Sequence, residues 1–372
     1  MNKSYRILNI FMELDRGGAE TFVMNIYRNI DRKKIQFDFL VHGEKRGAYE
    51  DEIEAMGGRI FRLPKMSLLS LNKYNRAIDV FFTTHNEYKV VHSHASELGC
   101  FIFKKAKQYN IPFRVCHAHS APNGLNIKTP VRYMFKKYID CFSNARFSCS
   151  EAAGVWQYGE NAEFEVINNG IETKKYTFNE DTRLDMRRQC DIDDSQLVVG
   201  HIGRFETPKN HKFILEIFEQ IKLKKREAKL LFIGIGSLKE EIKSLVIEKG
   251  LEDSVLFVGA INNVPDYLQM MDVFVFPSLF EGLGIALIEA QASGLKCIAS
   301  STVPREANVT ELVTNLDLTL SAEKWADTVI SQTEVLDRTV YSAKVADAGY
   351  DILESALRLQ DFYLKCYVGQ QE

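Results

Sequence analysis

Short β-branched and aromatic runs recur along the whole 372-residue chain, and many are followed by a stretch with amphipathic helical spacing. The first half offers strands at residues 6–12, 37–41, 59–63, 90–94, 113–117, 146–149 and 165–167. The second offers 197–202, 230–235, 255–258, 273–276 and 296–299, with helical spacing at 19–30, 213–222, 238–249 and 285–292 among the intervals. A nearly continuous apolar strand that returns through a helix runs parallel to its neighbour and is covered on both faces. The pattern predicts an α/β chain, and twelve strands exceed one ordinary doubly wound sheet, so two units are expected. The polar segment 168–196 is the expected junction, after which LVVGHIGR restarts the alternation. The expected divisions are 1–180, 181–348 and 349–372. The last holds a helix over 349–367 with Ile352, Leu353, Ala356, Leu357, Leu359, Phe362 and Tyr363 on one side.

Composition narrows the function. Hydrophobic residues make up 45% and charged residues 26%, which suits packed cores, and the net charge of −3 gives no global basicity for nucleic-acid binding. The halves differ: residues 1–180 carry 26 Lys/Arg against 20 Asp/Glu, and residues 181–372 carry 21 against 30. A basic first half is expected to meet something anionic. The amino terminus has an apolar stretch broken by Glu13 and Asp15 and lacks a small-residue cleavage site. No apolar run reaches the ~18–20 residues needed to span a bilayer. Seven scattered cysteines read as reduced thiols. These features predict a cytoplasmic protein, peripheral at most on the inner face of the membrane.

Ligands of doubly wound sheets bind beyond the carboxyl ends of strands, so the residues following each strand carry the functional reading. After the first strand, Gly17 and Gly18 open a helix whose amino terminus favours an anion or a sugar hydroxyl; a tight turn is the plainer account. Their spacing is not the dinucleotide fingerprint G-x-G-x-x-G, so no nicotinamide cofactor is expected. In HIGRFETPKNH, Arg204 at a strand end and Lys209 before a helix can hold a diphosphate, or be solvated surface cations. The richest segment is VFVFPSLFEGLGIALIEAQASG. Glu281 lies in its loop and Glu289 about one turn inside the next helix. Between them the amides of Leu283, Gly284 and Ile285 form a cradle for a phosphate. Two carboxylates flanking that turn suit vicinal hydroxyls of a ribose and a hexose.

E-x7-E after strand–Pro–Ser, with G-R-x4-K upstream and G-G-A-E near the start, resembles the family-4 retaining glycosyltransferases of GT-B fold. VHGEKRGAYEDEIEAMGGRIFRLP and VCHAHSAP resemble the capsule and exopolysaccharide branch. The resemblance implies two Rossmann-like domains facing a cleft, the second binding the nucleotide sugar and the final helix crossing back to the first. It implies a hexose moved from a nucleotide diphosphate sugar, by default a UDP-sugar, to a glycan or lipid-linked glycan acceptor with retained anomeric configuration. Glu289 would bind the ribose, Glu281 the hexose, Arg204 and Lys209 the diphosphate, and Ile261 the base through its backbone. Gly17 and Gly18 would approach the donor, and His119 would contact its sugar, with His117 as the nearby competitor. One departure stands out: SSTVPREANVTELV, with Pro304 and a displaced Glu306, replaces the family's glycine-rich G-x-P-E segment. A nucleotide-sugar 2-epimerase of the same fold and a non-catalytic sugar-binding partner are the rival readings. E-x7-E is not the signature of the first, and Arg204, Lys209, Glu281 and Glu289 are all present against the second.

His92, His94, Cys116, His117 and His119 could imitate a zinc site, but no pair has finger-type spacing and there is no D-x-D motif. No metal and no cofactor are expected. The segment from Lys128 to Ile139, KTPVRYMFKKYI, combines Arg132, Lys136 and Lys137 with an apolar side, and Lys104, Lys105 and Lys107 form a second basic cluster. This is expected to touch an anionic membrane; packing of the apolar side into the domain is the plainer account.

Overall fold

The computed structural model describes residues 4–15, 17–66, 70–95, 99–119, 129–261, 263–332 and 337–368, with only the backbone described at 129–134 and 137. Two compact units form: Met1–Gly170 with Ile352–Glu372, and Ile171–Asp351. The expected divide at 180/181 lies ten residues beyond Gly170. The intervening segment is tied to the second unit: the Tyr176 hydroxyl donates to Glu289 at 2.7 Å and the Asn179 amide to Gln269 at 3.2 Å.

In the first unit seven strands pair in parallel: β1 (Tyr5–Ile10), β2 (Ile35–His42), β3 (Ile60–Leu63), β4 (Val90–Ser93), β5 (Phe113–Ala118), β6 (Ala145–Ser148) and β7 (Glu165–Val166). Their order is β3-β2-β1-β4-β5-β6-β7, so the direction of winding reverses between β1 and β4. Both faces are covered, as continuous apolar strands require. One face carries the helices Gly18–Asn29 and Ile352–Val368, whose Phe22, Ile26, Tyr27, Leu359 and Tyr363 pack on Ile7, Phe37 and Phe39. The other carries Leu71–Thr84 and Cys100–Gln108.

The closing helix thus belongs to the first unit. Tyr367 stacks on Tyr5 at 4.4 Å and donates to the Arg6 carbonyl at 2.6 Å. It begins at Ile352, later than expected, because Gly349 sits at φ +84°, outside helical space. Leu353 and Leu357, expected on the inner side, are 44% and 58% exposed, while Ser355, Gln360 and Cys366 are buried. On this buried side Gln360 accepts from the Asp31 amide at 2.9 Å.

In the second unit six parallel strands follow the same plan: β8 (Val198–Ile202), β9 (Lys229–Ile233), β10 (Val255–Gly259), β11 (Val273–Phe276), β12 (Lys296–Ser300) and β13 (Val313–Leu316). The order is β10-β9-β8-β11-β12-β13, reversing between β8 and β11. β13 was not among the expected strands. Its sequence VTNL has only two apolar residues, and it is an edge strand with no fully buried position.

The first sheet depends on one buried carboxylate. Asp38 in β2 is fully buried and accepts from Arg6 Nε at 2.6 Å, Arg59 at 2.7 Å and the Tyr88 hydroxyl at 2.7 Å. Burial alone would raise its pKa; the Arg6, Arg59 and Tyr88 hydrogen bonds outweigh it and hold the carboxyl below its ordinary value. Asp38→Ala leaves two guanidinium groups without their common partner. It should cost about 3–5 kcal/mol of stability, read as a lower urea midpoint; an unchanged midpoint would refute the dependence.

Candidate functional site

Strand ends of the second unit gather the residues expected to bind. The loops after β8 and β9 meet backbone to backbone. A Cβ on Gly234, at φ +148°, would lie 2.0 Å from the Gly203 carbonyl oxygen. Phe205 N–H donates to the Ile235 carbonyl at 2.9 Å, and Leu238 N–H to the Phe205 carbonyl at 2.9 Å. Only glycine permits this approach. Gly234 and Gly236 were missed in the sequence, although G-I-G-S directly after an apolar strand signals it.

The loops after β8 and β11 are also joined. Leu279 N–H donates to the Pro208 carbonyl at 2.8 Å, and the Asn210 amide to the Pro277 carbonyl at 3.2 Å. Lys209 and Glu281, assigned to different parts of a donor, meet directly: Nζ lies 2.6 and 2.8 Å from the two carboxylate oxygens. Nζ also sits 5.1 Å from the Phe276 ring centroid. Arg204 is exposed and its guanidinium has no partner among the described residues. Its charge acts on Glu206 at longer range, so this loop pair holds one cation in a direct ion pair and one with none among the described residues.

Gly284 adopts φ +94°, ψ +51° and caps the helix Ile285–Ala292. The αL turn directs the amides of Leu283, Gly284 and Ile285 out of the helix start, and none meets an acceptor among the described residues. Glu289 projects one turn further, mostly covered, where burial pushes its carboxyl up to about 7 against a partial offset from the Tyr176 hydroxyl. Tyr176 was not singled out in the sequence; it lies 113 residues away and no spacing rule reaches it. The segment of the departure is strapped to this helix, with Gln291 Nε2 donating to the Ala307 carbonyl at 2.7 Å and Oε1 accepting from Thr310 N–H at 2.8 Å. Ile261 is half-buried against the core of this unit.

In the first unit Gly17 caps the helix Gly18–Asn29 at φ −96° without a side-chain hydrogen bond. A Cβ there would lie 2.2 Å from a Glu20 carboxylate oxygen, so this carboxylate already folds back over the helix start. His117 and His119 end β5 beside His92 and His94 of β4 and its exit. Burial depresses all four imidazoles, His92 and His119 to about 3. His92 bonds the Tyr363 hydroxyl at 2.6 Å and faces His117 at 3.3 Å; His94 bonds His119 at 2.8 Å and Asn9 at 3.3 Å. His92, His94 and His117 bring ring nitrogens within 4.8 Å of one another. Both nitrogens of His94 are already engaged, so this trio bonds protein groups rather than presenting three free lone pairs.

Comparison with known proteins agrees with this geometry. Residues 16–175 match the model of Glycosyltransferase Family 4, and residues 182–327 that of Glycosyl transferases group 1. The putative glycosyltransferase EpsF of Bacillus subtilis (strain 168) is 33% identical over 98% of this chain and 97% of its own. The chain belongs to the family-4 glycosyltransferases. A second relative of this glycosyltransferase, the capsular polysaccharide biosynthesis glycosyltransferase CapH of Staphylococcus aureus, is 25% identical over 96% of this chain and 98% of its own. The crystal structure of Anabaena HepE in complex with UDP superposes with a TM-score of 0.79 at 19% identity, covering 97% of this chain and all of that one. The fold is GT-B. Among the described residues of the glycosyltransferase no helix is long and apolar enough to cross a membrane.

The raised Glu289 carboxyl has a sign. Its folded pKa of about 7 exceeds the unfolded 4.5, so its contribution to stability is fully present below the unfolded value and is lost as pH rises through 7. Glu289→Gln should therefore stabilise the protein at about pH 8, on the order of 1–3 kcal/mol, with the gain vanishing towards acid pH. Thermal unfolding across pH tests this; a variant less stable than the parent at alkaline pH would contradict it.

Proposed function

We propose that the chain transfers a hexose from a UDP-sugar to a lipid-linked glycan acceptor with retained configuration, in capsule or exopolysaccharide synthesis, and without a metal. The observation that carries this is the single strand–loop–helix unit 273–292. It sets the Gly284 amides between a loop carboxylate held by a lysine and a covered helix carboxylate. Glu289 takes the ribose hydroxyls, the amides of Leu283, Gly284 and Ile285 a phosphate, Arg204 and Lys209 the remaining diphosphate charge, and Ile261 the base. Glu281 receives a hexose hydroxyl, with His119 on the sugar and Gly17–Gly18 approaching the donor from the first domain.

The chemistry needs charge stabilisation of a departing diphosphate and of an oxocarbenium-like carbon. As the bond from the anomeric carbon to phosphate oxygen breaks, the acceptor oxygen bonds to that carbon on the same face, and its proton passes to the leaving phosphate. No enzymic nucleophile is required. Positive charge from Arg204 and Lys209 supplies what a divalent ion supplies elsewhere. Lys209 is balanced by Glu281 in the free protein, so a diphosphate draws Lys209 partly away and frees Glu281 for the hexose. Binding is thereby coupled to setting the sugar contact.

This coupling separates the two carboxylates. Glu281→Ala should leave UDP affinity intact or tighter, because Lys209 loses its internal partner, while transfer falls. Glu289→Ala should weaken free UDP by about 1.5–3 kcal/mol. UDP affinity should also rise with pH through about 7, since ribose hydroxyls donate best to the ionised carboxylate. Calorimetry with UDP and a transfer assay decide the matter: equal losses of UDP affinity in both variants would refute the division of roles. Turnover should survive a strong chelator; loss restored by a divalent ion would overturn the metal-free reading.

For the acceptor, we propose that the basic helix Thr129–Phe142 touches anionic lipid. Lys128 and the side chains of Arg132 and Lys137 lie outside the described residues. Of the rest, Ile139 is buried, Tyr138 is 54% exposed, and Lys136 lies 5.0 Å from the Trp156 ring. The double substitution Lys136→Glu and Lys137→Glu should reduce sedimentation with anionic vesicles and transfer to a lipid-linked acceptor, and spare hydrolysis of the donor by water. A parent that fails to bind such vesicles at low salt would sink the proposal.

A further inference from the structure

Asn9 is a polar residue at zero exposure inside the apolar strand β1. Its amide nitrogen lies 3.5 Å from the carbonyl oxygens of Ile7 and Asp38, which only accept. The flipped amide would set oxygen against oxygen, so these carbonyls fix Oδ1 towards His94 Nε2, 3.3 Å away. His94 Nε2 must then carry the proton. Neutral His94 keeps a lone pair on Nδ1, which faces His119 Nε2 at 2.8 Å. His119 Nε2 is therefore the donor, and His119 Nδ1 is left bare, buried, and without a hydrogen-bond partner among the described residues. Each step follows from which atoms can donate. Stacking of His94 on Phe11 at 4.7 Å and of His119 on His117 at 4.4 Å supports both rings, whose planes are tilted by 39°.

We propose that Asn9 and His94 are positioning residues that lock His119 in its Nε2–H tautomer, so that Nδ1 accepts the proton of a sugar hydroxyl. The proposal rests on the reading above in which His119 meets the donor sugar, and adds a direction to that contact. His119 discriminates for a hydroxyl that donates; it offers no N–H to a carbonyl, an ether oxygen or a phosphate. The device needs no charge. Neutral imidazoles pass the orientation of one amide through two rings to the atom that meets the ligand, as a carboxylate or carbonyl orients a histidine in other sites.

Long-range proton–nitrogen correlation spectra of the free protein test the tautomers directly, since they report which ring nitrogen carries hydrogen. Protonated Nε2 and bare Nδ1 are expected on both His94 and His119; an Nδ1–H on His119 overturns the relay. His94→Leu removes the acceptor that holds His119. It should lower kcat/KM for sugar transfer about tenfold while leaving affinity for free UDP unchanged. His94→Asn, which keeps an acceptor near the Nδ1 position, should recover most of the loss. Parent-like transfer by His94→Leu overturns the proposal. If that variant does not fold, Asn9→Leu frees the same tautomers from the other end and is read in the same spectra and the same assay. A protein with the expected tautomers that binds no nucleotide sugar would refute the donor-site reading and leave the relay standing.

Discussion

Parallel pairing of β8 with β11 is the contact on which the chemistry of the second unit depends. Val199 opposes Val273 and Gly200 opposes Phe274, so the two strands end side by side although 70 residues of chain lie between Ile202 and Val273. Gly200 permits the closeness: a Cβ there would strike Met271 Sδ at 2.0 Å. Because the winding reverses between these strands, no crossover helix closes the space beyond them, and their loops extend into it. The Pro208–Leu279 hydrogen bond and the Lys209–Glu281 ion pair are consequences of that adjacency. Neither loop has another reason to meet the other.

The first unit repeats the arrangement with different chemistry. Its reversal falls between β1 and β4, where Asn9 opposes His92. Here the strand ends carry imidazoles in place of cations and carboxylates. Burial keeps them neutral, which suits contacts with hydroxyls and would be wasted on a diphosphate. The strand ends of the two units thus differ in polarity. Charged and amide groups gather in one, neutral donors and acceptors in the other. Two basic residues of the first half are engaged elsewhere: Lys105 pairs with Asp79 at 2.7 Å and Lys107 lies over Phe142.

Much of the architecture was legible because it is written in local period. Val273–Phe276 and Ile285–Ala292 fall where apolar runs and helical spacing place them, with Pro277 stopping the one and Gly284 opening the other. One edge strand and the long-range partners were not. β13 pairs on one side only and lacks the continuous apolar run of its neighbours. Tyr176 reaches Glu289, and Asn9 reaches His94, through the tertiary fold, across 113 and 85 residues. Residue types at strand ends identify the charged groups of a site. They do not reveal which of those groups neutralise one another, and the Lys209–Glu281 pair is the clearest case. The start of the closing helix was misplaced for a local reason that could have been read, since Gly349 is a natural stop three residues before Ile352.

Unsatisfied polarity is concentrated where the strands end. Buried side-chain atoms without a hydrogen-bond partner include His117 Nε2, His119 Nδ1, Ser148 Oγ, His201 Nε2, both ring nitrogens of His211, and Ser278 Oγ. These belong to the carboxyl end of a strand or to the loop and helix start that follow it, with Gln157 Nε2, late in the helix Glu151–Tyr158, an exception among the described residues. Each such atom costs about 1–3 kcal/mol when nothing answers it. A fold selected for stability alone would place apolar groups there, as it does along the interiors of the same strands, where Ile7, Val91, Val115, Leu231 and Val275 are fully buried. Glu289 is a further case, since burial of its carboxyl, just inside the helix after β11, pushes it up to about 7. The sheets spend their stability at one edge, and parallel pairing is what allows it. It collects most of the unsatisfied groups at the carboxyl ends, while the polar groups within strands, Asp38 and Asn9, are hydrogen-bonded.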